Sequence, residues 1–331
     1  MNSLGRVVWR EGMHLSQHHF QAHNRYVEEL VRFVASNLGP EAFGLAGYEF
    51  DAEALQNDTV SLIHARGIMP DGLAFQFPDD PLPEPRQIRD LFSPTQDSHL
   101  VLLCIPPFLD GRANVASEGT SAARFVESTR PVVDEAGGVD TRPVPVARKN
   151  FRLLLDVEDT SRSVSLPVAR VRRDGSGHFI YDDSFIAPSL RLGASASLVT
   201  LVERLLETLS ARSAALSTEV PADDGAVVAN HWRAHTIHAS LGTLSHMHRL
   251  RHAHPSDLFA EMSRLAGALC TFSMHAHPRD LPAYDHLRPG ESFGELERRI
   301  RELLNVVAPS NTVRNWRMRA APSSCVSPSS R

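Results

Sequence analysis

Histidine is the residue type with which this sequence could do the most chemistry, since the chain carries 17 of them among 331 residues. His231, His235 and His238 fall at i, i+4 and i+7, on one face of a helix, and His246, His248, His252 and His254 follow. Imidazoles on adjacent helical turns converge closely enough to hold zinc or nickel. A catalytic zinc centre also takes a third ligand and usually a nearby carboxylate base, and the H-E-x-x-H arrangement that brings a base with it is absent. We therefore read these residues as a solvated or inter-subunit helix face filled with histidine. If it is a subunit seam, facing imidazoles would weaken it as they charge. A metal-dependent hydrolase centred on them is the rival reading.

The other reactive residues point away from catalysis. His18-His19 has no serine or cysteine nucleophile in an elbow context, so His18 is expected to hydrogen-bond locally and fix its segment. Cys104 and Cys270 sit in apolar runs and read as buried, reduced thiols; Cys325 stands apart. Asp182-Asp183 and Asp174 read as a solvated loop between two structural regions. Gly72, Gly111, Gly137-Gly138, Gly175 and Gly177 are turn glycines, and no strand, glycine-rich loop and helix follow one another to cradle phosphate. No catalytic residue, metal ligand or cofactor is expected.

A net charge of −5 argues against a general binder of nucleic acid or anionic membranes, and no run of about eighteen apolar residues exists to span a bilayer. The length accommodates two or three domains, with an ordinary 42% hydrophobic and 22% charged residues.

These residues must be positioned by two kinds of element. Residues 17–38 read as a helix with Phe20, Tyr26, Leu30, Phe33 and Leu38 at helical spacing, stopped by Gly39-Pro40. The period then changes to alternation in 59–66 and 73–77 around Pro70-Asp71-Gly72, a hairpin signature. His99 to Ile105 reads as a buried central strand. Further strands are expected at 123–130, 144–155 and 166–173, the last pairing with His178-Phe179-Ile180-Tyr181. Short strands with Gly, Pro and Asp punctuation predict an antiparallel sandwich or barrel.

After Pro188 the pattern is helical. Leu198, Leu201, Leu205, Leu209 and Leu216 form one stripe, and Ile237, Leu241 and Leu244 a second, on a helix over about 226–252. A third helix starts at Pro255 and carries Leu258, Met262, Leu265, Leu269 and Phe272. A fourth has Ser292 as N-cap with Glu295 three residues on, and the stripe Phe293, Leu296, Ile300, Leu303 and Val307. Four helices with one apolar face each predict a bundle. The fold class is thus α+β and multidomain: an N-terminal helix and β-sandwich over residues 1–190, a helical bundle over 191–311, and a Ser/Pro-rich tail over 312–331 read as disordered.

The N-terminal run from Val7 to Phe20 carries Trp9, Met13, Leu15 and Phe20 with little polar dilution. Apolar groups of that size need a dock, either the chain's own core or a partner. They do not form a secretory signal, because Arg10, Glu11 and the histidines interrupt any apolar core.

The same run, Trp9-Arg10-Glu11-Gly12-Met13-His14-Leu15 with Gln17-His18-His19-Phe20-Gln21, resembles the W-x-E-G-(L/M)-x-L-x-x-Q-H-F-Q element of TssK (VasE/ImpJ-like), the baseplate subunit family of bacterial type VI secretion systems. Further segments match in the same order. They are Gly67-Ile68-Met69-Pro70-Asp71-Gly72, Asn150-Phe151-Arg152-Leu153-Leu154, Leu166-Pro167-Val168-Ala169-Arg170-Val171 and Asp183-Ser184-Phe185-Ile186-Ala187-Pro188. His254-Pro255-Ser256-Asp257-Leu258-Phe259, Leu265-Ala266-Gly267 with Thr271-Phe272, and Tyr284-Asp285-His286 follow.

The resemblance implies a β-sandwich "shoulder", a helical "neck", a C-terminal "head", and assembly as a cytoplasmic homotrimer. It further implies that the shoulder engages the wedge subunits TssF and TssG, and that the head contacts the membrane-complex subunits TssL and TssM. After Asn311 the sequence departs from the family pattern, so the head is expected to be missing and membrane-complex docking is not expected of this chain. Trp9, Met13, Leu15, His18 and Phe20 are the expected partner-binding residues. Leu201, Leu205, Leu209, Ile237, Leu241, Leu244, Leu265, Phe272, Leu296 and Ile300 are expected to pack the neck or the trimer. A structural adaptor is the expected function; a phage-tail-like baseplate adaptor is the alternative of the same kind.

Overall fold

The computed structural model describes residues 5–39, 41–93, 95–116, 123–218 and 224–305. It opens with α1 (Gln17–Leu38), whose first turn is closed by Ser16 N–H donating to His19 Nδ1 at 3.1 Å. Then come β1 (Gly44–Phe50), α2 (Ala52–Gln56), β2 (Thr59–Val60), β3 (Leu62–Ile68), β4 (Ala74–Phe77), β5 (Arg86–Gln87), β6 (Ser98–Ile105) and β7 (Val115–Ala116). β8 (Phe125–Val133), β9 (Thr141–Lys149), β10 (Arg152–Leu155), β11 (Val164–Arg173) and β12 (Phe179–Tyr181) complete the strands.

Two antiparallel sheets, ordered β1-β3-β4 and β10-β6-β11-β12, contribute to one core. Alternation puts Val101, Leu103 and Ile105 of β6 inside, with Leu153 and Leu155 of β10 and Leu166 and Val171 of β11. Phe75, Phe77 and Phe151 close it, their ring centres 5.3–5.6 Å apart. Pro167 is tolerated in the interior strand β11 because the register against β6 shifts there, between Pro167 and Ala169. The hairpin read around Pro70-Asp71-Gly72 joins β3 to β4, with Gly72 at φ +86° and its N–H on the Met69 carbonyl at 2.8 Å. The single strand read over 144–155 is two, β9 and β10. The chain turns at Asn150, whose side-chain amide donates to the Ala123 carbonyl at 2.8 Å.

Four helices follow: α3 (Ala196–Thr218), α4 (Asp224–Leu250), α5 (Pro255–Cys270) and α6 (Pro289–Asn305). Their one-sided stripes meet in a second core holding Leu198, Leu205, Leu209, Leu244, Met262, Leu265, Phe293 and Ile300. Arg212 of α3 donates through Nε to the Leu304 carbonyl of α6 at 3.1 Å, tying the first helix of the bundle to the last.

Two boundaries differ from the pattern reading. Helix α6 begins at Pro289, so Ser292 lies within its first turn and its hydroxyl accepts from Asp285 N–H at 3.0 Å rather than capping the helix. Proline at the first helical position needs no partner for its nitrogen, which lets the helix start earlier than a capping box suggests. Helix α5 ends at Cys270, and Phe272 packs from the turn beyond it. The expected tail over 312–331, Val307 and Cys325 lie outside the described residues.

The two cores meet at a hydrogen-bonded junction. Leu45 N–H donates to the Pro188 carbonyl and Leu190 N–H returns to the Leu45 carbonyl, each at 2.9 Å. Gly44, at φ +119°, is required here: a Cβ would lie 2.7 Å from the Pro188 carbonyl group. Leu192 N–H and Gly193 N–H then reach the Ala253 and Arg251 carbonyls ahead of α5, both at 2.9 Å.

Candidate partner-binding surface

The N-terminal apolar run does not enter either core. Trp9 remains 49% exposed and Phe20 53%, with Leu15 equally open and Met13 half-buried. Trp9 instead gathers a local aromatic group, its ring centre 6.3 Å from Phe20, 6.3 Å from His19 and 6.2 Å from His23. Met13 Sδ accepts from Arg10 N–H at 3.3 Å, folding the run back on itself. The local imidazole tie belongs to His19, not to His18. His18 points outward, because only the residue three positions after Ser16 faces its N–H across the first helical turn.

Helix α1 continues this surface. Phe20, Val27, Val31, Val34 and Leu38, spaced seven, four, three and four residues apart, share one helical face, and they and the neighbouring Leu30 and Phe33 are all exposed. Of the residues read at helical spacing, Phe20, Leu30, Phe33 and Leu38 are thus left open and Tyr26 is half-buried, while Glu29 is the buried residue of the helix. The helix touches the sandwich along its other side. The Arg25 guanidinium lies 3.5 Å from the centre of the Phe108 ring, and Arg32 donates to the Asp71 carbonyl at 3.4 Å. Exposed apolar stripes of this size mark contact surfaces.

A second projecting element is the ribbon of β8 and β9, paired from Phe125 with Lys149 to Val133 with Thr141. Val132, Val133, Val139 and Val144 are exposed along it. A two-stranded ribbon with so little burial gains little stability alone, which favours use as a contact arm. The sequence marks it only as strand; in the fold β8 lies between the short β7 and β9 in a sheet of its own.

The histidines of α4 are engaged separately rather than converging. His231 Nδ1 faces the Val227 carbonyl at 2.9 Å, His238 meets Ser213 Oγ at 2.5 Å, and His235 lies edge-on to Trp232. His248 pairs with Glu203 at 2.9 Å, while His254 caps α5. Among the described residues no three His, Cys, Asp or Glu side chains are grouped to hold a metal ion. Asp174 and Asp182 lie in different turns, each held below the usual carboxylate range, Asp174 chiefly by the Ser176 hydroxyl and Asp182 by that of Ser184 against the opposing effect of burial. His99 is buried against Asp156 at 2.7 Å, beneath the Phe92 ring. Burial pushes the Cys104 thiol up, away from the reactive thiolate.

The structure places Leu201, Leu205, Leu209, Ile237, Leu244, Leu265, Leu296 and Ile300 within the helical core, with Leu241 and Phe272 half-buried at its margin. Val227, Val228 and Trp232 are exposed towards the N-terminus of α4, and Leu250 at its C-terminal end.

Comparison with known proteins gives one consistent set. The family model for bacterial type VI secretion proteins EvfL, ImpJ and VasE matches residues 19–327. The type VI secretion system baseplate component TssK1 of Pseudomonas aeruginosa is 29% identical over 322 residues, covering 95% of this chain and 72% of the relative. A crystal structure of TssK aligns with a TM-score of 0.84 at 30% identity, covering 93% of this chain and 71% of that one. A chain from the cryo-electron microscopy structure of a TssK-TssF-TssG baseplate subcomplex aligns with a TM-score of 0.82 at 27% identity, covering 91% and 99%.

Proposed function

The chain belongs to the bacterial type VI secretion family of EvfL, ImpJ and VasE, and from that premise we propose that it is a structural subunit of a type VI secretion baseplate. In this reading it acts without catalysis, in the cytoplasm, as a homotrimer whose sandwich engages wedge subunits of the TssF and TssG kind. Support for the partner class comes from the likeness, over 91% of this chain, to a protein solved together with TssF and TssG.

The observation that carries the site is the open apolar row on α1 continued by Trp9. Aromatic and methionine side chains contribute large buried area at interface centres, and a few such anchors carry most of the binding energy. Trp9, Met13, Leu15 and Phe20 are the anchors, with His18 at the rim. The trimer is assigned to the bundle, where Val228 and Trp232 of α4 offer apolar surface that the chain itself leaves uncovered.

Co-expression with TssF and TssG from the same cell, followed by affinity capture of this chain, tests the reading. Stoichiometric recovery of both supports it. Recovery of a stable trimer without either overturns the assigned partners.

A further inference from the structure

The junction between sandwich and bundle contains an imidazole pair that no interface or packing argument above requires. His254 and His286 stack with ring centres 5.1 Å apart and planes inclined by 25°. His286 is buried, and its ring also lies edge-on to Phe43 at 4.7 Å. It reaches the sandwich directly, with Nε2 2.9 Å from the Phe43 carbonyl. A carbonyl only accepts, so Nε2 carries the proton, and Nδ1, 2.8 Å from the Tyr284 hydroxyl, is free to accept.

The partners of His254 fix its state in the same way. Its Nδ1 accepts from the Ser256 backbone N–H at 3.2 Å and lies 2.8 Å from the Ser256 hydroxyl, capping α5. That nitrogen must therefore be unprotonated. Its Nε2 is buried, and beyond the Ser256 cap the ring faces the Glu41 backbone. The cap of α5 thus holds a neutral ring at His254, while the buried His286 commits its Nε2–H to the Phe43 carbonyl in the arrangement that joins the two cores.

We propose that the stacked His254–His286 pair is an acid-sensitive joint, holding the sandwich on the bundle while both imidazoles are neutral and loosening when either takes up a proton. An imidazolium at His254 would lose the cap of α5, and one at either position would face its stacked neighbour in a buried site.

Glu41, from the segment ahead of β1, faces both rings; Asp257 of α5 faces His254, and Asp285 faces His286. Each of these favours the charged ring, yet burial outweighs them and holds both imidazoles below their ordinary value, with His286 adding to the effect at His254. Because the closed state disfavours the proton, the joint is at full strength above the ordinary histidine value, about pH 6.5. It weakens as pH falls below that, by up to about tenfold in the opening equilibrium per pH unit for each ring.

The test is hydrogen exchange on the full chain, read at the amides of Leu45, Leu190 and Leu192, which bridge the junction. Between pH 7.5 and 5.5, after correction for intrinsic exchange, the opening equilibrium should rise severalfold, up to about tenfold for each ring, while Leu103 in the sandwich core stays fixed. His254→Asn, which keeps a capping side chain, and His286→Gln, which keeps a donor for Phe43, should each blunt the response. An unchanged junction in the wild type, or an equal response in both variants, overturns the proposal. If a variant does not fold, the imidazole resonances of the wild-type protein decide. Either ring titrating at its ordinary value in the intact fold refutes the joint, and both remaining neutral until the junction opens supports it.

Discussion

The Arg25 guanidinium lies 3.5 Å from the centre of the Phe108 ring, and this contact joins the N-terminal helix to the sandwich. It leaves the opposite side of α1, from Phe20 to Leu38, open. With the Arg32 to Asp71 hydrogen bond on the same side, α1 presents its apolar row rather than burying it.

Arg25→Ala should loosen α1 by about 0.5–2 kcal/mol, the range of such contacts between exposed and desolvated settings. Exchange of the α1 amides should speed by roughly 2- to 30-fold, while thermal unfolding of the two cores stays unchanged. A matching loss of global stability would mean that α1 is part of the cooperative core.

Phe293 is fully buried between Phe259 and Tyr284, its ring centre 5.5 Å and 6.0 Å from theirs. Phe293→Ala should destabilise the bundle by about 3–5 kcal/mol, read as a lower urea midpoint. A change below about 1 kcal/mol would show that the bundle core repacks around the gap.

Arg124 is buried, with Nη2 2.7 Å from Asp71 Oδ2 and Nη1 2.8 Å from the Pro106 carbonyl. It fastens the hairpin turn that carries α1 to the strand after it. Arg124→Ala should cost about 3–5 kcal/mol by leaving the Asp71 carboxylate without its partner. Adding Asp71→Asn should recover a measurable part of that loss in a double-mutant cycle, and strict additivity would count against coupling.

Much of this architecture is legible in the residues. The change from period 2 to period 3.6 near Pro188 marks the passage from sandwich to bundle, because each side chain's face is set by its own element. The start of α6 is missed because Ser292 and Glu295 mimic a capping box one turn inside the helix. The openness of α1 is not legible either. Phe20, Leu30, Phe33 and Leu38 have the spacing of a core stripe, and spacing alone does not say whether a core lies opposite. The His254–His286 stack joins residues 32 positions apart in sequence, and only the packing of α5 against the lead into α6 brings them together. The His231 series, by contrast, looks like a site in sequence and separates into individual hydrogen bonds in the fold.

The most direct test of the proposed partner-binding surface is the affinity of this chain, in the trimeric form proposed for it, for a TssF–TssG complex, compared with Trp9→Ala and Val31→Ser. Both positions are exposed, so folding and trimer mass should be preserved. The account predicts at least about tenfold weaker binding for each, the ~1.4 kcal/mol or more expected of a truncated anchor. Wild-type affinity in both variants, or a loss matched by dissociation of the trimer, would contradict it.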